Sequence, residues 1–176
     1  MNFYDCFMFF DEELLLDIRL NILNKYIKKF VVAESLYTHK GEKRNLKFNI
    51  DNYKKFKDKI EYIVVDKQPN NLSEISRNDS YHEKNSKILI NALKRENFQR
   101  NMLAKGISDC MDNDLIFISD VDELPNLESL KEIKKLNFFN QKMYYYKFNL
   151  EFKNKVWVGT RACKKKDLIS PQWLRN

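Results

Sequence analysis

Glycine is scarce in this chain of 176 residues, which contains only Gly41, Gly106 and Gly159. Three glycines so far apart form neither the G-x-G-x-x-G turn of dinucleotide-binding domains nor a P-loop. The chain therefore has no glycine-rich backbone cradle for a nucleotide. The phosphates of a bound nucleotide would need a metal ion instead.

Histidine, cysteine and long apolar runs are also scarce. The two histidines, His39 and His82, lie in predicted loops, which argues against a histidine-built zinc site. Cys6, Cys110 and Cys163 are widely spaced and form no C-x-x-C, which indicates free thiols in a reducing compartment.

Acidic residues interrupt the N-terminal segment, and no apolar run approaches bilayer length. We therefore expect a cytoplasmic protein without a signal peptide or a transmembrane helix.

The composition, 43% hydrophobic and 14% aromatic, is typical of one globular domain over residues 1–176. The net charge of +7 is unevenly distributed, because residues 131–176 contain 12 Lys/Arg against 3 Asp/Glu. This basic quarter predicts peripheral contact with an anionic membrane or a phosphorylated acceptor, with a solvated tail as the alternative. No nucleic acid partner is expected, because RNA-binding and helix-turn-helix patterns are missing.

Apolar runs and helical periodicity alternate along the chain, which predicts an α/β domain with a mostly parallel sheet. Strands are predicted at 4–10, 30–33, 60–65, 115–118, 142–152 and 156–158, and helices at 12–24, from 85 to about 109, and at 126–136. The apolar faces predicted for the three helices are Leu15, Ile18 and Ile22; Ile88, Leu89, Ala92 and Leu93, continued by Phe98, Met102 and Ile107; and Leu127, Leu130 and Ile133.

The buried strand at 115–118 is followed at once by the acidic segment Ser119-Asp120-Val121-Asp122-Glu123. Ligand sites of open α/β sheets lie beyond the carboxyl ends of the strands. Asp120 and Asp122 are one residue apart, and hard oxygen ligands of this kind suit Mn²⁺ or Mg²⁺. The segment predicts a metal and phosphate site. The alternative is an acidic turn that Pro125 closes before a helix.

The segment at 120–125, D-V-D-E-L-P, resembles the D-V-D-E-I-P signature of glycosyltransferase family seventeen. That family includes the N-acetylglucosaminyltransferase that adds the bisecting β-1,4 residue to N-glycans. Further segments are similar to it in the same order: 4–7 with Glu13, Leu14, Leu15 and Arg19; 30–35 with Thr38 and Gly41; 98–101; and 144–146. Five ordered segments over residues 4–160 make the resemblance more specific than the acidic motif alone.

The resemblance implies a GT-A fold and transfer of a sugar, with inversion, from a UDP-sugar to a glycan or lipid-linked saccharide. N-Acetylglucosamine is one candidate sugar. Asp122 would bind Mn²⁺ or Mg²⁺ directly, with Asp120 nearer the ribose and the metal's water shell. Glu123 would position the acceptor or carry a proton. The nucleotide-sugar-binding residues that the resemblance implies are Phe10, Glu34, Thr38, Arg100 and Asp120.

Each implied role has an ordinary structural alternative. Glu34 and Thr38 would be a strand-end cap and a loop hydroxyl, Arg100 would pair with Glu96 four residues earlier, and Glu123 would close the turn.

Family members continue beyond the length of this chain, which predicts a C-terminally incomplete domain. Either a neighbouring copy completes the site in a homo-oligomer, or the chain is a non-catalytic remnant that binds nucleotide-sugar or a partner chain. A phosphohydrolase of the haloacid dehalogenase type is a further alternative. It fits less well, because its D-x-D strand usually lies near the N-terminus.

Overall fold

A six-stranded sheet forms the centre of the computed structural model, which describes residues 1–153 and 155–176. Its strands are β1 (Phe3–Phe9), β2 (Lys29–Ser35), β3 (Ile60–Val65), β4 (Leu115–Asp120), β5 (Leu136–Gln141) and β6 (Trp157–Lys164). The order across the sheet is β3-β2-β1-β4-β6-β5. The first four strands are parallel, and β6 runs antiparallel to both β4 and β5. The predicted α/β class with a mostly parallel sheet is confirmed.

Alternate residues of the central strands face opposite layers, as the period of two in a strand requires. In β4, Leu115 and Phe117 pack with the residues of the first helix, whereas Ile116 and Ile118 pack on the other face of the sheet. All four side chains are fully buried, as expected for a parallel sheet covered on both sides.

Within the described residues, three α-helices accompany the sheet: α1 (Glu13–Leu23), α2 (Tyr81–Met102) and α3 (Pro171–Arg175). A 3₁₀ segment, Ile50–Lys59, lies in the long loop after β2, and another, Leu103–Ile107, continues α2. The prediction that α2 begins near residue 85 is wrong. Ser80 and Glu83 form a reciprocal capping box, in which each side chain accepts a hydrogen bond from the other residue's backbone N–H. His82, predicted in a loop, therefore lies in the first turn of α2.

The predicted apolar faces of α1 and α2 are correct only in part. In α1, Leu15 packs against the core, but Ile22 is exposed and the fully buried residues are Leu16, Arg19, Leu20 and Leu23. In α2 the buried side chains are polar and Ile88, Leu89 and Leu93 are exposed, whereas Ile107 in the following 3₁₀ segment is buried. Gln99 shows how a polar side chain of α2 is buried, because its Nε2 donates to the Ala33 carbonyl of β2 at 3.0 Å.

The helix predicted at 126–136 is also wrong. Asn126 caps a single 3₁₀ turn, Leu127–Ser129, and the chain then continues without regular structure until β5. Leu127, Leu130 and Ile133 still pack against the core. An irregular segment thus satisfies the same apolar spacing that suggested a helix.

The strand predicted at 142–152 is wrong as well, because the strand of the sheet is β5, immediately before it. Residues 142–153, the aromatic hairpin, fold back on themselves through one antiparallel bridge between Tyr144 and Glu151. The prediction at 156–158 is confirmed in part, since β6 begins at Trp157 and extends much further. Among the described helices, none combines the length and the apolar character that a bilayer crossing requires.

Candidate active site

A cleft of about 570 Å³ opens beyond the carboxyl ends of the parallel strands. Phe10 lines it just after β1, Thr38 lines it in the loop after β2, and Asp120 and Asp122 line it after β4. Four of the seven predicted site residues therefore share one cleft. This is the edge of the sheet where open α/β domains bind ligands.

Asp122 stands out in the acidic turn because its side chain is exposed and forms no ion pair with any residue that the structure describes. No group of three or more His, Cys, Asp or Glu residues in positions 1–153 and 155–176 could hold a metal ion. Mg²⁺, however, is commonly bound through one or two carboxylates together with substrate phosphates. A single exposed carboxylate beside a cleft fits that mode of binding.

Asp120 differs from Asp122 because two arginines bind its carboxylate. Arg100 donates to Oδ1 from Nη2 at 3.1 Å, and Arg175 donates to Oδ2 from Nη2 at 3.0 Å. Burial by itself would raise the pKa of the Asp120 carboxyl, but the positive charges of Arg175 and Arg100 outweigh it and lower that pKa. Asp120 is therefore held as a charged group with a fixed orientation.

Arg100 also donates to Glu96 at 2.8 Å and to Gln172 at 2.6 Å. The helical pair with Glu96, the alternative role of Arg100, is therefore present together with its contact to Asp120.

Glu123 closes the turn and is almost completely buried. Its Oε2 accepts from the Asp120 backbone N–H at 2.9 Å, while Oε1 accepts from Trp157 Nε1 at 2.8 Å and Arg175 Nη2 at 2.7 Å. Gly159 makes room for this carboxyl group, since a Cβ there would lie 2.7 Å from Glu123 Cδ. Both carboxylate oxygens of Glu123 are thus engaged in holding the turn.

A fully buried arginine, Arg19 of α1, organises the backbone of the acidic turn. Nε and Nη2 donate to the two carboxylate oxygens of Asp5 in β1 at 2.8 and 2.7 Å. Nη1 donates to the carbonyl oxygens of Asp120, Val121 and Glu123 at 3.0, 3.1 and 3.0 Å. The planar guanidinium matches this set of acceptors, which a lysine could not satisfy.

Glu34 does not line the cleft. Its fully buried carboxylate accepts from the backbone N–H groups of Lys47 and Phe48 at 2.7 and 3.0 Å, and pairs with Arg44 at 3.0 Å. The Arg44 guanidinium lies 3.9 Å above the centre of the Phe10 ring and donates to the Phe10 carbonyl. The Glu34 carboxylate therefore acts on Phe10 of the cleft indirectly, through Arg44.

Thr38 belongs to a tight turn at the cleft margin. Its hydroxyl accepts from the Glu42 backbone N–H at 3.2 Å, and its carbonyl accepts from Gly41 N–H at 2.8 Å. Gly41 has a φ of 95°, which favours glycine there. The Thr38 side chain thus both shapes the loop and lines the cleft.

The family model described as Glycosyltransferase family 17 matches residues 1–168. The chain belongs to glycosyltransferase family 17. A search of curated proteins and a search of solved structures gave no match. The family assignment confirms the resemblance of the acidic motif and its neighbouring segments. It also establishes a transferase, whose ligands are a sugar donor and an acceptor.

Sequence reasoning missed three parts of this glycosyltransferase's site. The resemblance includes Arg19 but does not reveal its contacts with the turn. An arginine on the otherwise apolar face of α1 does indicate a buried partner. Arg175 and Trp157 gave no local signal. Only the fold brings α3 and β6 beside the turn after β4.

Proposed function

We propose that the cleft binds a UDP-sugar together with Mn²⁺ or Mg²⁺, and that the sugar is transferred with inversion to a glycan or lipid-linked saccharide. The observation that carries the proposal is the exposed Asp122 carboxylate in a turn whose other charges are already compensated. An unpaired acid beside a cleft of nucleotide size is available to a cation.

The nucleotide end of the proposed site is at Phe10. Arg44 covers part of its ring, and the side chain is 43% exposed where it lines the cleft. An aromatic ring held in place from behind suits stacking with a nucleobase. Lys40 and His39 line the same cleft and would lie near an anionic ligand. In this arrangement Glu34 is a positioning residue that acts through Arg44.

The diphosphate end of the proposed site is at the acidic turn. Asp122 would hold the metal ion, which when bound neutralises charge on the departing diphosphate. Asp120 is held between Arg100 and Arg175, but its side chain is 39% exposed, so its oxygens would also accept hydrogen bonds from the ribose or from the metal's water shell. Glu123 has both oxygens engaged, which supports a positioning role and argues against proton transfer.

The experiment is a calorimetric titration of the full chain with UDP, with and without Mn²⁺. We expect binding to need Mn²⁺ and to weaken at least about tenfold in Asp122→Ala, since even outer-shell groups of metal sites contribute that much. Asp112→Ala is the matched control, because Asp112 is an exposed acid before the opposite end of β4. Binding without Mn²⁺, or equal losses in both variants, would overturn the proposal.

A second candidate function is nucleotide-sugar binding without transfer. Glu123 favours it, because both oxygens of the acid proposed for the acceptor side are already hydrogen-bonded, to Asp120, Trp157 and Arg175. Release of UDP from UDP-N-acetylglucosamine and UDP-glucose, with and without saccharide acceptors, separates the two candidates. Turnover that disappears in Asp122→Ala would exclude the binding-only function. The family assignment gives the phosphohydrolase alternative no support.

A further inference from the structure

The aromatic hairpin projects from the same edge of the sheet as the acidic turn. Because β6 is antiparallel to both β4 and β5, the carboxyl ends of β4 and β5 lie at one edge. β5 ends at Gln141, and the hairpin begins at the next residue. Just beyond it, Trp157 Nε1 donates to Glu123 Oε1 at 2.8 Å. Whatever the hairpin contacts is therefore brought close to the cleft.

The side chains of the hairpin are apolar and exposed. Backbone hydrogen bonds from Tyr145 N–H to the Leu150 carbonyl, at 3.0 Å, and from Phe152 N–H to the Met143 carbonyl, at 2.8 Å, hold its two arms together. The exposed apolar residues are Tyr144, Tyr145, Tyr146, Phe148, Leu150 and Phe152. Tyr146, near the tip, is 99% exposed. Contiguous apolar surface of this kind marks an interaction site.

The charge of the hairpin identifies the kind of partner that it fits. Residues 142–153 contain three lysines and one glutamate, and they lie within the basic quarter of the chain. Tyrosine, phenylalanine and leucine beside lysine are the composition of segments that enter the interface of anionic bilayers. Two copies of the hairpin would repel each other electrostatically. Phe148 and Leu150, which are 68% and 50% exposed, offer a sugar no hydrogen-bonding group, whereas they suit the apolar side of a bilayer interface.

We propose that the aromatic hairpin is a membrane-docking loop that inserts Tyr146, Phe148 and Leu150 into the interface of an anionic bilayer. This places the membrane contact in the hairpin and not in the run Lys164-Lys165-Lys166. The proposal stands apart from catalysis, because it concerns binding of the chain to lipid. Docking at this edge of the sheet would hold the cleft near the membrane surface.

The test is co-sedimentation of the full chain with vesicles of phosphatidylcholine alone or mixed with phosphatidylglycerol. Phe148→Ser with Leu150→Ser removes side chains that are 68% and 50% exposed. The matched control, Leu89→Ser with Leu93→Ser on α2, removes side chains that are 66% and 57% exposed. We expect the hairpin pair to weaken binding to the mixed vesicles by about tenfold or more, while the control pair binds like the original chain.

Charge is tested separately with Lys147→Gln. We expect about fivefold weaker binding to the mixed vesicles and no change with phosphatidylcholine alone, as each basic residue near an anionic surface adds attraction. Far-ultraviolet circular dichroism confirms that each variant is folded. Absence of vesicle binding by the original chain, or equal losses in the hairpin and control pairs, would overturn the proposal.

Two further outcomes would also overturn it. Chitooligosaccharide binding that depends on the hairpin, without vesicle binding, would make the loop an acceptor platform. A dimer in sedimentation equilibrium that the hairpin variant abolishes would make it a contact between copies. Both results are independent of the Mn²⁺-dependent UDP titration, so failure of this inference is distinguishable from failure of the proposed function.

Discussion

The inner and outer sides of the acidic turn differ in what compensates their negative charge. On the inner side, Arg19 binds three backbone carbonyls, and Arg100 and Arg175 bind the carboxylate of Asp120. On the outer side, Asp122 is exposed beside the cleft. Neighbouring acids in one short motif therefore have separate tasks. The inner groups fix the backbone, and this leaves the outer carboxylate in a defined position for a ligand.

The strongest test of the inner side is Arg19→Met. The substitution leaves the Asp5 carboxylate buried without its partner and removes the donor to three carbonyls, so we expect the free energy of unfolding to fall by about 3–5 kcal/mol. Urea denaturation measures it. Lys25→Met is the control, since its ion pair with Glu128 is exposed and should contribute little to stability. Similar losses of stability in the two variants would mean that the buried Arg19 stabilises the fold no more than the exposed Lys25 does.

A smaller loss is expected for Gly159→Ala, which tests the packing behind Glu123. The new Cβ would lie 2.7 Å from Glu123 Cδ, whose carboxyl group is held by three hydrogen bonds. It would lie closer still to Gln141 Oε1, a contact that remains in a Glu123→Ala background and sets a lower limit to the loss there. We expect a loss of about 1–3 kcal/mol in the free energy of unfolding. The same substitution should cost less in a Glu123→Ala background, as a double-mutant cycle would show. Additive losses would contradict a direct clash.

The pH dependence of stability tests Asp120. Arg175 and Arg100 lower the pKa of this carboxyl in the folded chain, against the effect of burial. Its contribution to stability is therefore fully present above the unfolded pKa of about 3.9, and is lost as the pH falls through the lowered folded value. In Asp120→Asn, the thermal unfolding midpoint should decrease less steeply as the pH is lowered through that acidic range. An unchanged slope would mean that the inner charges do not couple to folding.

Asp122→Asn should have the smallest effect on stability. The side chain is exposed and forms no ion pair within the described chain, so we expect a change within about 0.5 kcal/mol in the free energy of unfolding. Mn²⁺-dependent UDP binding measured on the same sample should nevertheless weaken. This pairing of unchanged stability with lost binding sharpens the contrast between the two sides. A large loss of stability would place Asp122 on the inner side.

The parallel part of the fold was predictable because its strands are short apolar runs, and β1, β2 and β4 are buried on both faces. β3 was predicted with its observed bounds, and the strand at 115–118 fell within β4. The helix faces were not predictable from periodicity. Arg19 is charged yet fully buried, and Leu89 is apolar yet exposed. A prediction from periodicity assumes that apolar residues are buried and charged residues are exposed. Arg19 and Leu89 both contradict that assumption.

The candidate site was predictable only where one segment carries it. Asp120 and Asp122 follow a recognisable strand, so their place at the sheet edge followed from the chain order. Arg175 and Trp157 reach the turn from α3 and β6, far along the chain. The strand predicted at 142–152 is replaced by a hairpin in which Tyr144 bridges Glu151, and the partner of β5 is β6, which follows this segment.

The bonds made by Arg19 also set an order of events in folding. The arginine and Asp5 lie 14 residues apart, so β1 and α1 can pair them early. Its partners in the acidic turn follow about 100 residues later in the chain. Closing so large a loop is slow relative to local contacts. During synthesis, half of the Arg19 guanidinium therefore remains without its partners until β4 and the acidic turn emerge.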